Sequence, residues 1–187
     1  GTVAQFALEH FRRQKPHVSG VSLCHFITNW PIIKWDIIDY YGQTKKSFDY
    51  VKRSYQPLLP SLEIQKRRWM PNELFRGRLY IINDYYKNYP SLTYKCIFRD
   101  SDQNELYSNT FTASVTENSS TAYEFLEFKL PSDISNCFYI QLYLSDGDNV
   151  LSENNYRLLV GDQKAAQEAA YGMYKIMHQK SREYGKG

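Results

Sequence analysis

Cysteine is scarce: Cys24, Cys96 and Cys137 are the only three in 187 residues. Their spacing matches no zinc motif and is too sparse for a disulfide framework. Each lies in an apolar run, where a free thiol behaves as a small hydrophobe, and Cys96 and Cys137 are expected to stay reduced. The four histidines, His10, His17, His25 and His178, stand without ligand spacing, so no metal and no cofactor is expected. Glycine-rich phosphate loops and nucleophile elbows are missing. Charge of one sign is also in short supply. A formal net charge of +3 falls far short of the many phosphate contacts that nucleic-acid binding needs, and no nucleic-acid partner is expected. The densest basic cluster, Lys66-Arg67-Arg68, reads as a solvated strand end beside Trp69. No apolar stretch approaches the ~20 residues that would cross a membrane as a helix, so no membrane partner is expected. Gly1-Thr2-Val3 lacks a secretory leader pattern. The chain enters a helix almost at once, and the expectation is a piece of something longer.

What the sequence does hold is aromatic surface. Aromatic residues make up 16 % of the chain and 17 of them are tyrosines, a bias that suits half-buried strands and sugar-facing surfaces. Periodicity divides the chain into three. In residues 1–58, Val3, Phe6, Ala7, His10 and Phe11 recur at helical spacing with Glu9, Arg12 and Arg13 on the other face, and Pro16 and Gly20 end that helix. Val21 to Ile27 reads as a strand buried on both faces, the kind found in parallel sheets. Thr44 is a candidate cap for a second helix with Phe48, Val51 and Tyr55 inward, stopped by Pro57 and Pro60. Residues 59–160 alternate with period two: Leu92, Tyr94, Cys96 and Phe98; Leu126, Phe128 and Leu130; Phe138, Ile140, Leu142 and Leu144. Turn signals between these runs predict seven or eight short strands, an immunoglobulin-like β-sandwich. No Trp lies between Cys96 and Cys137, so the antibody signature is missing. From residue 161 the pattern is helical again, with Ala166, Ala169, Ala170, Met173, Ile176 and Met177 as a packing stripe. The acidic residues Asp36, Asp39 and Asp49 form no catalytic pair and are expected to face solvent, with Asp39 bonding loop backbone before Gly42.

One segment is more specific. Residues 20–57 carry Trp30-Pro31, Trp35 and Asp39-Tyr40-Tyr41-Gly42, followed by a helix ending in Tyr55-Gln56-Pro57. Before them stands E-H-F-R-R-Q-K-P-H-V-S-G (Glu9 to Gly20), and Asp146 to Leu158 reads as a closing hairpin. Together these resemble the end of the catalytic barrel and the C-terminal sandwich of glycoside hydrolase family 2, the β-mannosidase, exo-glucosaminidase and β-galactosidase-like enzymes. The resemblance implies a mainly β chain: an immunoglobulin-like β-sandwich preceded by a helix–strand–helix remnant of a (β/α)8 barrel and followed by a C-terminal helical tail. Active sites of such barrels lie at the C-terminal strand ends, so His25, Asn29 and Trp30 become candidate sugar contacts. The family's two catalytic glutamates would lie upstream of Thr2, which leaves no catalytic residue here. The implied partners are the rest of the parent glycosidase chain and carbohydrate, with self-association of the piece through its unpaired strand, and the implied location is periplasmic or extracellular. The sequence departs from the family where Cys24 replaces a strand-end Trp and Ile27-Thr28 replaces an Asn-Asp pair. Trp30 then serves either as a buried loop anchor or as a sugar platform, while Trp35 and Tyr40 are expected to pack. A second reading keeps a free-standing carbohydrate- or protein-binding sandwich, with Trp69, Tyr85, Tyr86 and Tyr89 as its exposed aromatics.

Overall fold

Alternating side chains need two apolar faces to meet, and the chain supplies them in two packed antiparallel sheets. The computed structural model describes residues 1–32, 34–162, 164, 166–168 and 171–173. Among the described residues two helices, α1 (Thr2–Arg13) and α2 (Ser47–Ser54), precede eight strands. These are β1 (Leu58–Glu63), β2 (Arg68–Trp69), β3 (Leu74–Asn83), β4 (Tyr89–Arg99), β5 (Glu105–Val115), β6 (Ser119–Lys129), β7 (Cys137–Asp146) and β8 (Asn149–Val160). One sheet has the order β1-β3-β6 and the other β2-β8-β7-β4-β5. Only the short β2 runs parallel to its neighbour, β8; the other pairs are antiparallel. The turn joining β7 to β8 contains Gly147 at φ +56°, a backbone state that glycine adopts without a Cβ penalty.

The expected inward faces are the ones buried. Tyr94, Cys96, Phe98, Phe138, Ile140, Leu142 and Leu144 are fully buried and Leu92 and Leu126 nearly so. Cys96 and Cys137 are buried free thiols. At the centre Phe98 stands edge-on to Phe75 at 5.1 Å, tilts against Phe128 at 5.0 Å and stacks on Phe138 at 6.2 Å. Offset and edge-to-face aromatic pairs of this kind add ~0.5–1.5 kcal/mol each beyond area burial.

The helical region departs from the sequence expectation in four ways. Residues 21–27 do not form a strand: the segment is irregular, with one isolated bridge from Ile27 to Ile38, and Ile27 is exposed. A strand needs a hydrogen-bonded neighbour along its length, and no described strand runs beside it. Helix α1 turns its polar side inward. Gln5, Glu9 and Arg12 are buried while Val3 and Phe11 are exposed, because the sandwich surface opposite offers hydrogen-bond partners beside Tyr156, on which Phe6 packs. Helix α2 has Lys46 as its N-cap with no side-chain cap bond, two residues after the expected Thr44. Lys66-Arg67-Arg68 is not simply solvated: Lys66 lies over Trp69 and Arg67 over Phe6. Beyond residue 160, residues 164, 166–168 and 171–173 are helical. The rest of the expected tail, including Ile176 and Met177, lies outside the described residues.

Two core tyrosines predict a pH response. Burial, then the neighbouring Cys96, Glu9 and Tyr123, push the Tyr94 hydroxyl well above its ordinary value of 10.0. Burial, then Glu9, do the same to Tyr156. A raised folded pKa favours the neutral form, so this stability is fully present below pH ~10 and is lost as pH rises above it. In a spectroscopic alkaline titration these two phenols are expected to ionise only as the chain unfolds. Full phenolate formation with the fold intact would refute the assignment.

Candidate functional site

The stretch from Gly20 to Gly42 is positioned by a small core of its own. Ile37 packs with Leu8 of α1 and Val51 of α2, which pins its middle. Its C-terminal end is closed by Asp39, whose Oδ1 accepts from the backbone N–H of Tyr41 at 2.9 Å and of Gln43 at 2.8 Å. Gly42 beside it has φ +79°. This backbone-bonding role for Asp39 is the one expected from its place before the glycine.

Val21, Leu23 and Ile38 pack partly against that small core, while the larger apolar side chains around the anchors face outward. Phe26, Ile27, Trp30, Ile32, Trp35, Tyr40 and Tyr41 are all exposed, Trp30 by 72 % and Trp35 by 91 %. The expected packing roles of Trp35 and Tyr40 are therefore corrected: Tyr40 meets only Tyr41 edge-on at 5.3 Å among the ring contacts, and no ring pairs with Trp35 among the described residues. Trp30 is not a buried anchor either. The buried residue of that loop is Thr28, whose Oγ1 donates to the Trp30 carbonyl at 3.0 Å. His25 and Asn29 are exposed on the same loop, and Cys24 is exposed as well. Chain order, with Thr28 as the inward pivot, brings the three candidate sugar contacts to one solvent-facing loop. No hydrogen bond joins their side chains among the described residues.

Asp36 was expected in solvent and is instead 1 % exposed, with neither carboxylate oxygen bonded. A buried carboxylate without a donor is costly, and this one sits between exposed Trp35 and buried Ile37. Sequence pattern gave no signal for it, since one Asp beside a Trp carries no periodicity.

The E-x-x-R-x-x-K pattern of α1 has a different use from the loop. Glu9 Oε2 accepts from Tyr156 at 2.5 Å and from Ser61 at 2.7 Å, and its Oε1 accepts from Asn154 at 3.0 Å. Arg13 approaches the same carboxylate at 3.8 Å. Arg12 donates to the carbonyls of Ser54 and Gln56 and, at 2.8 Å, to Asp84. Lys15 pairs with Asp84 at 2.5 Å and donates to Asn118 at 2.8 Å. All three motif residues fasten the helices to the sandwich, and none reaches the exposed loop. Tyr156, Asn154 and Ser61 complete the network and were not singled out from sequence. The alternating Asn154 and Tyr156 on the last strand were a weak signal of inward polar groups. Trp69, a candidate exposed aromatic of the free-standing reading, is 5 % exposed and packs on Phe75 at 4.8 Å. Tyr86 is 85 % exposed, as that reading requires. Among the described residues no cluster of three or more His, Cys, Asp or Glu side chains could hold a metal ion.

Residues 77–160 match the model of the Mannosidase Ig/CBM-like domain. Among solved structures, the β-D-mannosidase of Dictyoglomus thermophilum superposes with a TM-score of 0.63 at 24 % identity over 84 % of this chain. An exo-chitosanase of Amycolatopsis orientalis, in complex with PNP-β-D-glucosamine, does so with 0.64 at 19 % identity over 83 %. Both matched shares are larger than the sandwich alone can supply, so the common fold reaches outside it. This chain spans 18 % of the length of each of those two proteins. A search among curated proteins finds no match.

Proposed function

From the resemblance of this chain to the C-terminal region of glycoside hydrolase family 2 enzymes, we propose that it is the non-catalytic C-terminal portion of a retaining exo-β-glycosidase. In this role residues 1–58 complete the catalytic barrel, and the sandwich braces it. The observation that carries the reading is the exposure of Phe26, Ile27, Trp30, Ile32, Trp35, Tyr40 and Tyr41 within one segment. Large apolar side chains exposed together in this way mark an interaction face, and the helices that pack on Ile37 are fastened to the sandwich by Glu9, Arg12 and Lys15. The exposed Val3 and Phe11 of α1 extend the apolar surface. Asp36, buried and without a donor, fits a partner that brings one cation or N–H to it. His25, Asn29 and Trp30 would then reach the rim of the sugar pocket from the last barrel strand position. Sequencing the coding region upstream of Thr2 tests this. A long barrel with two strand-end glutamates is the expected result, and an unrelated domain there overturns it.

Taken alone, the same face is expected to pair with itself. Light scattering of the 187-residue chain should give an average mass that rises with concentration. Replacing Trp30 and Trp35 together by Ser should return it to the monomer mass without lowering the melting temperature, since exposed positions contribute within about ±0.5 kcal/mol. A monomer at every concentration would count against the interaction face. The alternative reading, a free-standing binding module, draws on Tyr85 and Tyr89, which line a cleft of about 250 Å³ with Leu151. It loses Trp69 to the core.

A further inference from the structure

The outer face of the β1-β3-β6 sheet is divided. At one end α1 covers it, with Arg13 donating to Ser61 at 2.8 Å and lying over the Tyr80 ring. At the other end a groove of about 650 Å³ stays open, within the ~300–1,000 Å³ range of small-molecule clefts. Its sides are unusually polar for its size. Glu63 lies directly across the strand pair from Arg78, yet the two are not closed into an ion pair. Glu63 accepts instead from Tyr80 at 3.0 Å. Arg78 uses only its Nε, on the Tyr123 carbonyl at 3.2 Å. Its two terminal nitrogens have no acceptor among the described residues. Lys66, paired with Glu73, and the edge of buried Trp69 also line it. Phe125, on β6 opposite Arg78, stands across β3 from Glu63, half exposed and with Arg76 held over its ring at 4.0 Å.

We propose that this groove is a saccharide-binding site, separate from the loop that carries His25, Asn29 and Trp30. Arg76, Arg78 and Lys66 are balanced by Glu63, Glu73 and Glu127, the last paired with Arg76 at 3.0 Å, so the groove as a whole favours neither a cation nor an anion. What it offers is donors and acceptors at short spacing around an aromatic surface. A hydroxyl is both donor and acceptor: set between Glu63 and Arg78, it would donate to the carboxylate and accept from the guanidinium. The C–H face of a pyranose suits the Phe125 surface. A neutral, hydroxyl-rich ring compound fits both features, whereas a simple anion uses only the first.

The test is calorimetric titration of the whole chain with three neutral trisaccharides, mannotriose, cellotriose and chitotriose, and with a uronate trisaccharide. At least one neutral probe should saturate. Its affinity should fall about tenfold in Arg78→Ala, the loss expected for charge-assisted hydrogen bonds, and comparably in Phe125→Ala, whose side chain is half exposed. In a Trp30→Phe/Trp35→Phe background Trp69 is the sole tryptophan, so its fluorescence should shift on saturation with the affinity retained. The inference is overturned if no neutral probe binds, if only the uronate binds, if Arg78→Ala and Phe125→Ala bind as tightly as the parent, or if binding disappears in the Trp30/Trp35 background. None of these failures touches the bracing role, which rests on the exposed side chains of Phe26, Ile27, Trp30, Ile32, Trp35, Tyr40 and Tyr41.

Discussion

Replacing Glu9 by alanine should destabilise the chain by about 3–5 kcal/mol, the cost of removing one partner from a buried charged network. The carboxylate is fully buried and accepts from three side chains, Tyr156, Ser61 and Asn154, with Arg13 at 3.8 Å. Truncation leaves those donors and the guanidinium facing a void. Glu9→Gln keeps the size but puts an NH₂ where acceptors are needed, so it should recover only part of the loss. Tyr156→Phe should cost less, about 1–3 kcal/mol, because the Glu9 carboxylate keeps Ser61 and Asn154 as donors and the chief loss is the Leu62 N–H, which donates to the hydroxyl at 2.9 Å and is left unpaired. Urea unfolding of the three variants checks the order. Equal midpoints for Glu9→Ala and the parent would mean that the contacts between helix and sandwich carry no net stability.

Phe98→Ala should cost about 3–5 kcal/mol, as large-to-small aromatic changes in cores do. Phe98 is fully buried and meets Phe75, Phe128, Phe138 and Tyr107 at ring distances of 5.0 to 6.2 Å. These rings come from β3, β4, β5, β6 and β7, so the neighbours cannot close the cavity without shifting both sheets. Tyr86→Ala, at a fully solvated loop tip, is the control and should fall within about ±0.5 kcal/mol. A small effect at Phe98 would show that the two sheets repack freely.

These two predictions separate what could be read from the chain and what could not. Phe98 was legible, because its neighbours Tyr94 and Cys96 alternate with Thr93 and Lys95, and burying one face of a strand requires such a period of two whatever the partner sheet is. The same holds for Phe138 to Leu144 and for the hairpin at Gly147. Asp39 was legible too, since its bonds to Tyr41 and Gln43 span four residues. Glu9 was not: its partners Ser61, Asn154 and Tyr156 lie 52 to 147 positions away, and a helical wheel counts a charge as solvent-facing when the surface opposite is unknown. Asp36 and the segment from Val21 to Ile27 follow the same logic. Apolar composition suggested a buried strand there, but pairing and burial are properties of a neighbour. The exposed candidate contacts His25, Asn29 and Trp30 were placed by resemblance alone, and their exposure emerged only from the fold. Sequence alone determined the sandwich, because strand alternation is written locally and the hydrophobic effect needs no named partner. Tertiary structure decided which face of α1 is buried, which carboxylate is held and which is left without a donor, because those outcomes depend on hydrogen-bond geometry between groups far apart in the chain.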